Sequence, residues 1–90
     1  MTRDQTRTNQ LILREVNERV ADITAHQQQS RSEFVCECGR MDCNDHVDLD
    51  LGEYRRIRNG DYFIAATGHC VEGVDRLVES REGLDLLAQL

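Results

Sequence analysis

The chain has 90 residues, a net charge of −6, and 39% apolar residues, with only Phe34, Tyr54, Tyr62 and Phe63 as aromatics. A chain this short buries only about 60% of its unfolded surface, and small cores of this kind commonly need a metal, disulfides or a partner as a staple. The acidic balance argues against a direct, sequence-independent grip on nucleic acid, and no run approaches the roughly 18 apolar residues of a membrane span.

Residues 1–7 read as a flexible tail. The stretch Met1 to Gln10 is polar, with Arg3 and Arg7 and no apolar run behind it, so no secretory signal is expected. From residue 8 to residue 28 the apolar positions Leu13, Val16, Val20 and Ile23, with Leu11 and Ile12 beside them, recur at spacings of three and four. That period predicts an amphipathic helix with Thr8 or Asn9 as its N-cap. The favoured expectation is that its stripe packs on the domain's own sheet, with a partner helix as the alternative. The polar stretch Gln27-Gln28-Gln29-Ser30-Arg31-Ser32 reads as a linker, and residues 29–90 read as the α+β unit of a single compact domain. Short strands are predicted at Glu33–Cys36 and His46–Leu49, where Phe34, Val35, Val47 and Leu49 suit a pleated, half-buried surface. Asp50 can cap a short helix over Leu51–Asn59, with Leu51, Tyr54 and Ile57 inward and Gly60 ending it in the left-handed conformation. Tyr62–Ala66 reads as a strand. Val71–Glu79 and Leu84–Ala88 read as a hairpin about Ser80-Arg81-Glu82-Gly83, with Gly83 at positive φ; a terminal helix over Leu84–Leu90 competes with the last strand. The fold class expected is therefore α+β, a long N-terminal helix followed by a small metal-stapled, β-rich unit with one short helix.

Three of the four cysteines fall in Cys36-Glu37-Cys38-Gly39-Arg40-Met41-Asp42-Cys43, and the fourth in Gly68-His69-Cys70. In an extended segment, residues i and i+2 share a face, so Cys36 and Cys38 can lean toward one ion. The four intervening residues let the loop turn and bring Cys43 to the same point, with Gly39 suited to a tight turn. The charged neighbours make a poor core environment for thiols. With a reducing, cytoplasmic compartment as the expectation, grouped thiols are metal ligands rather than disulfides. The fourth ligand stays open among three candidates. His69 is favoured because it follows a strand end and a glycine that can aim the loop inward; Cys70 comes second and His46 third. Three thiolates and an imidazole would make a closed tetrahedral zinc site with no position for substrate. Glu37 reads as an exposed loop carboxylate, and no phosphate loop, Ser-centred triad or helical H-E-x-x-H is present. The expectation is a protein that is not an enzyme.

The run Glu33-Phe34-Val35-Cys36-Glu37-Cys38, followed by Asp42-Cys43, Val47-Asp48-Leu49, Glu53-Tyr54, Tyr62-Phe63, Gly68-His69 and Val74–Glu79, resembles a group of short zinc-knuckle-like proteins of high-GC Gram-positive bacteria. The resemblance covers roughly residues 9–88 and is carried most specifically by C-x-C-x4-C and the later Gly-His. It implies Cys36, Cys38, Cys43 and His69 as zinc ligands and Cys70 as a peculiarity of this chain, and it implies no activity.

Three functions fit these features. The first is a zinc-stabilised regulatory or adaptor module that binds another protein, or itself, through the N-terminal helix. The second is a thiol redox sensor in which oxidation ejects zinc, with Cys70 as a resolving thiol. The third is a transcription-related nucleic-acid binder using Arg55, Arg56 and Arg58, whose charges Asp48, Asp50, Glu53 and Asp61 offset.

Overall fold

The computed structural model describes residues 2–90. Helix α1 runs from Arg3 to His26. The tail expected over residues 1–7 is therefore mostly the first turns of this helix, and Met1 lies outside the described residues. The cap is Thr2 rather than Thr8 or Asn9: its hydroxyl accepts from Gln5 N at 3.1 Å. Asp4 in the first turn favours the start electrostatically.

Two antiparallel strands follow, β1 (Arg31–Val35) and β2 (His46–Asp50), paired from Arg31–Asp50 to Val35–His46. Helix α2 spans Leu51–Asn59, and Asp50 caps it by accepting from Gly52 N at 2.8 Å and Glu53 N at 3.3 Å. Its end differs from expectation. Gly60 is right-handed, with φ −79°, and the left-handed residue is Asp61, at φ 61°. An Asp can take that conformation because its short side chain finds polar partners, here Arg14 at 2.5 Å.

Strands β3 (Phe63–Ala65), β4 (Asp75–Arg81) and β5 (Leu84–Gln89) form a second antiparallel sheet in the order β3-β5-β4. The C-terminal segment is thus a central strand, and the competing terminal helix does not form. Gly83, at φ +75°, makes the expected hairpin turn. Leu84, Leu86 and Leu87 are buried because β5 is covered on both faces. Val71–Val74, expected to open the hairpin, instead forms a turn that precedes β4.

The core has two parts. The larger is apolar and gathers Phe34, Val47, Leu49, Leu51, Tyr54, Ile57, Ile64, Leu84 and Leu86, with Phe34 stacked on Tyr54 at 4.3 Å between ring centroids. The smaller is built round sulfur: Cys36 and Cys38 pack with Phe63, Ala65 and Leu87, and Cys43, Ala66 and Cys70 lie at its edge.

Helix α1 does not dock as its periodicity predicts. The buried residues are Thr6, Gln10, Asn17, Ala21 and Thr24, whereas Leu11, Ile12, Val16 and Ile23 are exposed. The apolar stripe is turned roughly a quarter circle away from the domain, so that only its edge, Leu13 and Val20, is half-buried. Polar demand explains this. Val35 ends β1 with a backbone donor and acceptor that need partners, and Asn17 supplies both, receiving Val35 N at 2.8 Å and donating to Val35 O at 2.9 Å. The Asn17 amide also donates to the buried Glu37 at 2.7 Å, and Gln10 donates to the buried Asp75 at 2.8 Å. Two desolvated carboxylates require donors on the facing helix, and leaving them unmet would cost more than exposing these four aliphatic side chains.

Candidate metal centre

The knuckle loop leaves β1 and returns to β2, and Cys36 N bonds Asp45 O at 3.0 Å across its neck. Within it, Cys43 N bonds Arg40 O at 3.3 Å to close the turn. Gly39 has φ +83°, and a Cβ there would lie 2.5 Å from the Thr6 carbonyl oxygen of α1. Asn9 donates to the Gly39 carbonyl at 3.1 Å, so the helix presses on the loop at the one residue without a side chain. On the other side, the turn after β3 is fixed by His69 N to Ala66 O at 3.2 Å and Gly68 N to the Asp85 carboxylate at 2.9 Å. That turn aims the His69 ring at the knuckle.

The ligand atoms of Cys36, Cys38, Cys43 and His69 all lie within 4.8 Å of one another. His69 Nδ1 is 3.5 Å from both Cys36 Sγ and Cys43 Sγ. A tetrahedral ion with bonds of about 2.3 Å to sulfur and about 2.05 Å to nitrogen separates those atoms by about 3.6 Å, so the spacing fits. Cys36 and Cys38 are buried, and Cys43 and His69 are half-buried at the opening. His69 Nε2 lies 3.2 Å from Asp45 Oδ2. Asp45 can there accept a hydrogen bond from Nε2–H, the tautomer that leaves the Nδ1 lone pair facing the sulfurs and the usual outer contact of a metal-bound imidazole.

The surroundings favour thiolate at one of the three sulfurs, Cys38. Hydrogen bonding from the Cys36 thiol holds the Cys38 thiol well below the ordinary thiol range against the opposing effect of burial, and the Arg40 backbone and guanidinium add to the lowering. The Cys36 thiol is pushed up, first because it donates to Cys38 and then by burial. Ala66 N donates to Cys36 Sγ at 3.2 Å, a ready partner for a negative sulfur. Cys43 is raised by burial.

Two candidate ligands fall away. Cys70 turns its Sγ toward Asp75 O at 3.7 Å, and burial, with the charges of Asp75 and Asp85, pushes its thiol up. His46 pairs with Val35 in the β1–β2 ladder and is exposed.

Glu37 departs furthest from its reading as an exposed loop carboxylate. It is fully buried, and it accepts from Arg58 at 3.1 Å and 2.6 Å, Asn17 at 2.7 Å and Ile64 N at 2.9 Å. Its own N–H bonds Ile64 O at 2.8 Å, joining the knuckle to β3. The strand-like alternation that puts Cys36 and Cys38 on one face sends Glu37 to the other, into the seam between α1 and α2. That alternation is the signal from which its burial was readable. Arg58 also bonds Glu18 at 3.1 Å and the Tyr62 carbonyl at 2.8 Å. Among the described residues Arg56 pairs with Glu53 and Arg58 with Glu18 and Glu37, so of the basic cluster Arg55, Arg56 and Arg58 two members are engaged within the fold.

A cavity of about 310 Å³ opens over the site, lined by Arg40, Asp42, Cys43, Asn44, Asp45 and His69. Another cavity, of about 340 Å³, lies elsewhere; half its lining is Glu53, Arg56, Glu79 and Arg81, joined by ion pairs, and the other half is Ile57, Tyr62, Val78 and Leu86. Among the described residues, no helix is long and apolar enough to cross a membrane. Compared with protein families, with curated proteins and with solved structures, the chain matches none.

Proposed function

We propose that this chain is a small, non-enzymatic zinc protein of the cytoplasm whose metal is structural and whose surface binds protein. One observation carries the metal half of the reading: four ligand atoms from two distant segments converge within 4.8 Å in a set of three sulfurs and one imidazole nitrogen. Thiolate and imidazole together suit Zn²⁺, and four protein ligands leave no open position for a reacting water. Zinc bound in such sites supplies on the order of 10–16 kcal/mol, comparable with the roughly 5–15 kcal/mol net stability of a whole domain. The smaller core is built round the ligands, so the metal and that half of the fold form together. The unpartnered apolar stripe of α1 supports the protein-binding half.

The test is chelation under reducing conditions, followed by amide exchange. Zinc removal is expected to expose the amides of residues 36–45 and of β3, and zinc return to protect them again. Protection unchanged after complete removal would overturn the reading.

A redox role is the second reading, favoured by the placement of Cys43 on the 310 Å³ cavity. Peroxide would oxidise its thiolate to a sulfenic acid, and a neighbouring ligand thiolate would displace hydroxide to form a disulfide as zinc leaves. Zinc retained through mild peroxide treatment would rule that out.

A further inference from the structure

We propose that the exposed stripe of α1 is covered by a second copy of this chain, packed antiparallel along it and seated against the knuckle. This deepens the protein-binding half of the function above and is independent of which ion the centre holds. Ile12, Val16 and Ile23 are 56%, 41% and 58% exposed on one face of α1. Their edge continues into a cleft of about 230 Å³ lined by Asn9, Ile12, Leu13, Arg40, Met41 and Cys43. Met41, at 74% exposure, stands at its rim. One surface thus joins the helix to the loop between Cys38 and Cys43.

Self-complementarity selects the occupant. With Arg19 between Val16 and Ile23, the seam positions 12, 16, 19 and 23 alternate at spacings of four, three and four, as an antiparallel helix pair requires. A twofold axis between Asn17 and Glu18 places Ile12 against the second copy's Ile23 and Val16 against its Arg19. Each Ile23 then reaches the rim formed by the other chain's Ile12 and Met41. The charges point the same way. On the domain side of α1, Arg14 pairs with Asp61 and Glu18 with Arg58. Beside the stripe, Glu15, Arg19 and Asp22 are exposed and make no ion pair among the described residues. In the antiparallel arrangement the Arg19 stem lies over the second copy's Val16 and its guanidinium reaches that copy's Glu15, twice per dimer. Arg19 is also the one base that offsets the acidic flank of Glu15 and Asp22, so the interface depends on it.

Sedimentation velocity on the full chain over a concentration series, with metal content recorded for each sample, tests this. The wild type is expected to move from monomer to dimer as concentration rises. Val16→Asp is expected to stay monomeric with unchanged circular dichroism and metal content. Arg19→Glu sets like charges against each other at both ends and is expected to raise the dissociation constant by at least about tenfold. Glu15→Arg combined with Arg19→Glu is expected to restore it. A wild type that stays monomeric at every soluble concentration overturns the proposal, as does a dimer indifferent to Val16→Asp. A monomer that holds one zinc overturns the dimer alone; a dimer without metal overturns the zinc reading alone.

Discussion

Substitution of Glu37 by Ala tests whether the knuckle is braced from behind by a buried ion pair. Glu37 has no exposed surface and its partner Arg58 is 11% exposed, so water screens neither. Removing the carboxylate leaves the guanidinium with only the more exposed Glu18 as counter-charge, beside its neutral acceptors Tyr54 and Tyr62, and deprives Ile64 N of its acceptor. Breaking a buried pair from one side costs about 3–5 kcal/mol. At about 4–8 °C per kcal/mol for a domain of this size, the melting temperature should fall by about 12–40 °C. Glu37→Gln keeps the shape but turns an amide NH₂ toward the Asn17 and Arg58 donors, so it should lose nearly as much. In a double-mutant cycle, Glu37→Ala with Arg58→Ala should lose less than the sum of the two, because the second change removes the charge that the first orphaned. The assay is thermal unfolding in excess zinc, with metal content measured alongside. A fall below about 4 °C for Glu37→Ala, equivalent to less than about 1 kcal/mol, would refute the argument.

Three further outcomes follow from the same geometry. Asp45→Ala should weaken zinc by about 10–100-fold in competition with a chromogenic chelator, and Asp45→Asn, which keeps an acceptor for Nε2–H, should weaken it less. Gly39→Ala puts a Cβ 2.5 Å from the Thr6 carbonyl at a φ of +83°; the backbone strain alone is about 1–3 kcal/mol, and denaturant titration should show at least that loss. Burial raises the Tyr54 hydroxyl to about 12 from an ordinary 10.0. The fold thus favours the neutral phenol, and that contribution, whole below pH 10, is lost as pH climbs toward 12. Phenolate absorbance should therefore include a late component toward 12 that Tyr54→Phe removes, and a titration without that component would contradict it.

The parts legible in the sequence are those that local geometry decides. The spacing of Cys36, Cys38 and Cys43 needs only an extended pair and a turn, Asp50 announces a helix start, and Gly83 a hairpin. The parts that were not legible depend on which polar groups the chain desolvates. The apolar stripe of α1 argued for one docking face, and the needs of Val35, Glu37 and Asp75 selected another. Nothing local marks Asn17 and Gln10 as buried, because their partners lie 18 and 65 residues away. The order β3-β5-β4 is likewise a long-range outcome, since it places the last strand between two earlier ones. Asp45 carries no sequence signal; its role beside His69 appears only when the neck of the knuckle closes.

Native mass spectrometry of the reduced protein, beside His69→Ala and Cys70→Ser, tests the central claim most directly. One zinc per chain is expected in the wild type and in Cys70→Ser, and its loss or marked weakening in His69→Ala. A folded, metal-free wild type, or zinc lost from Cys70→Ser and kept in His69→Ala, would contradict it.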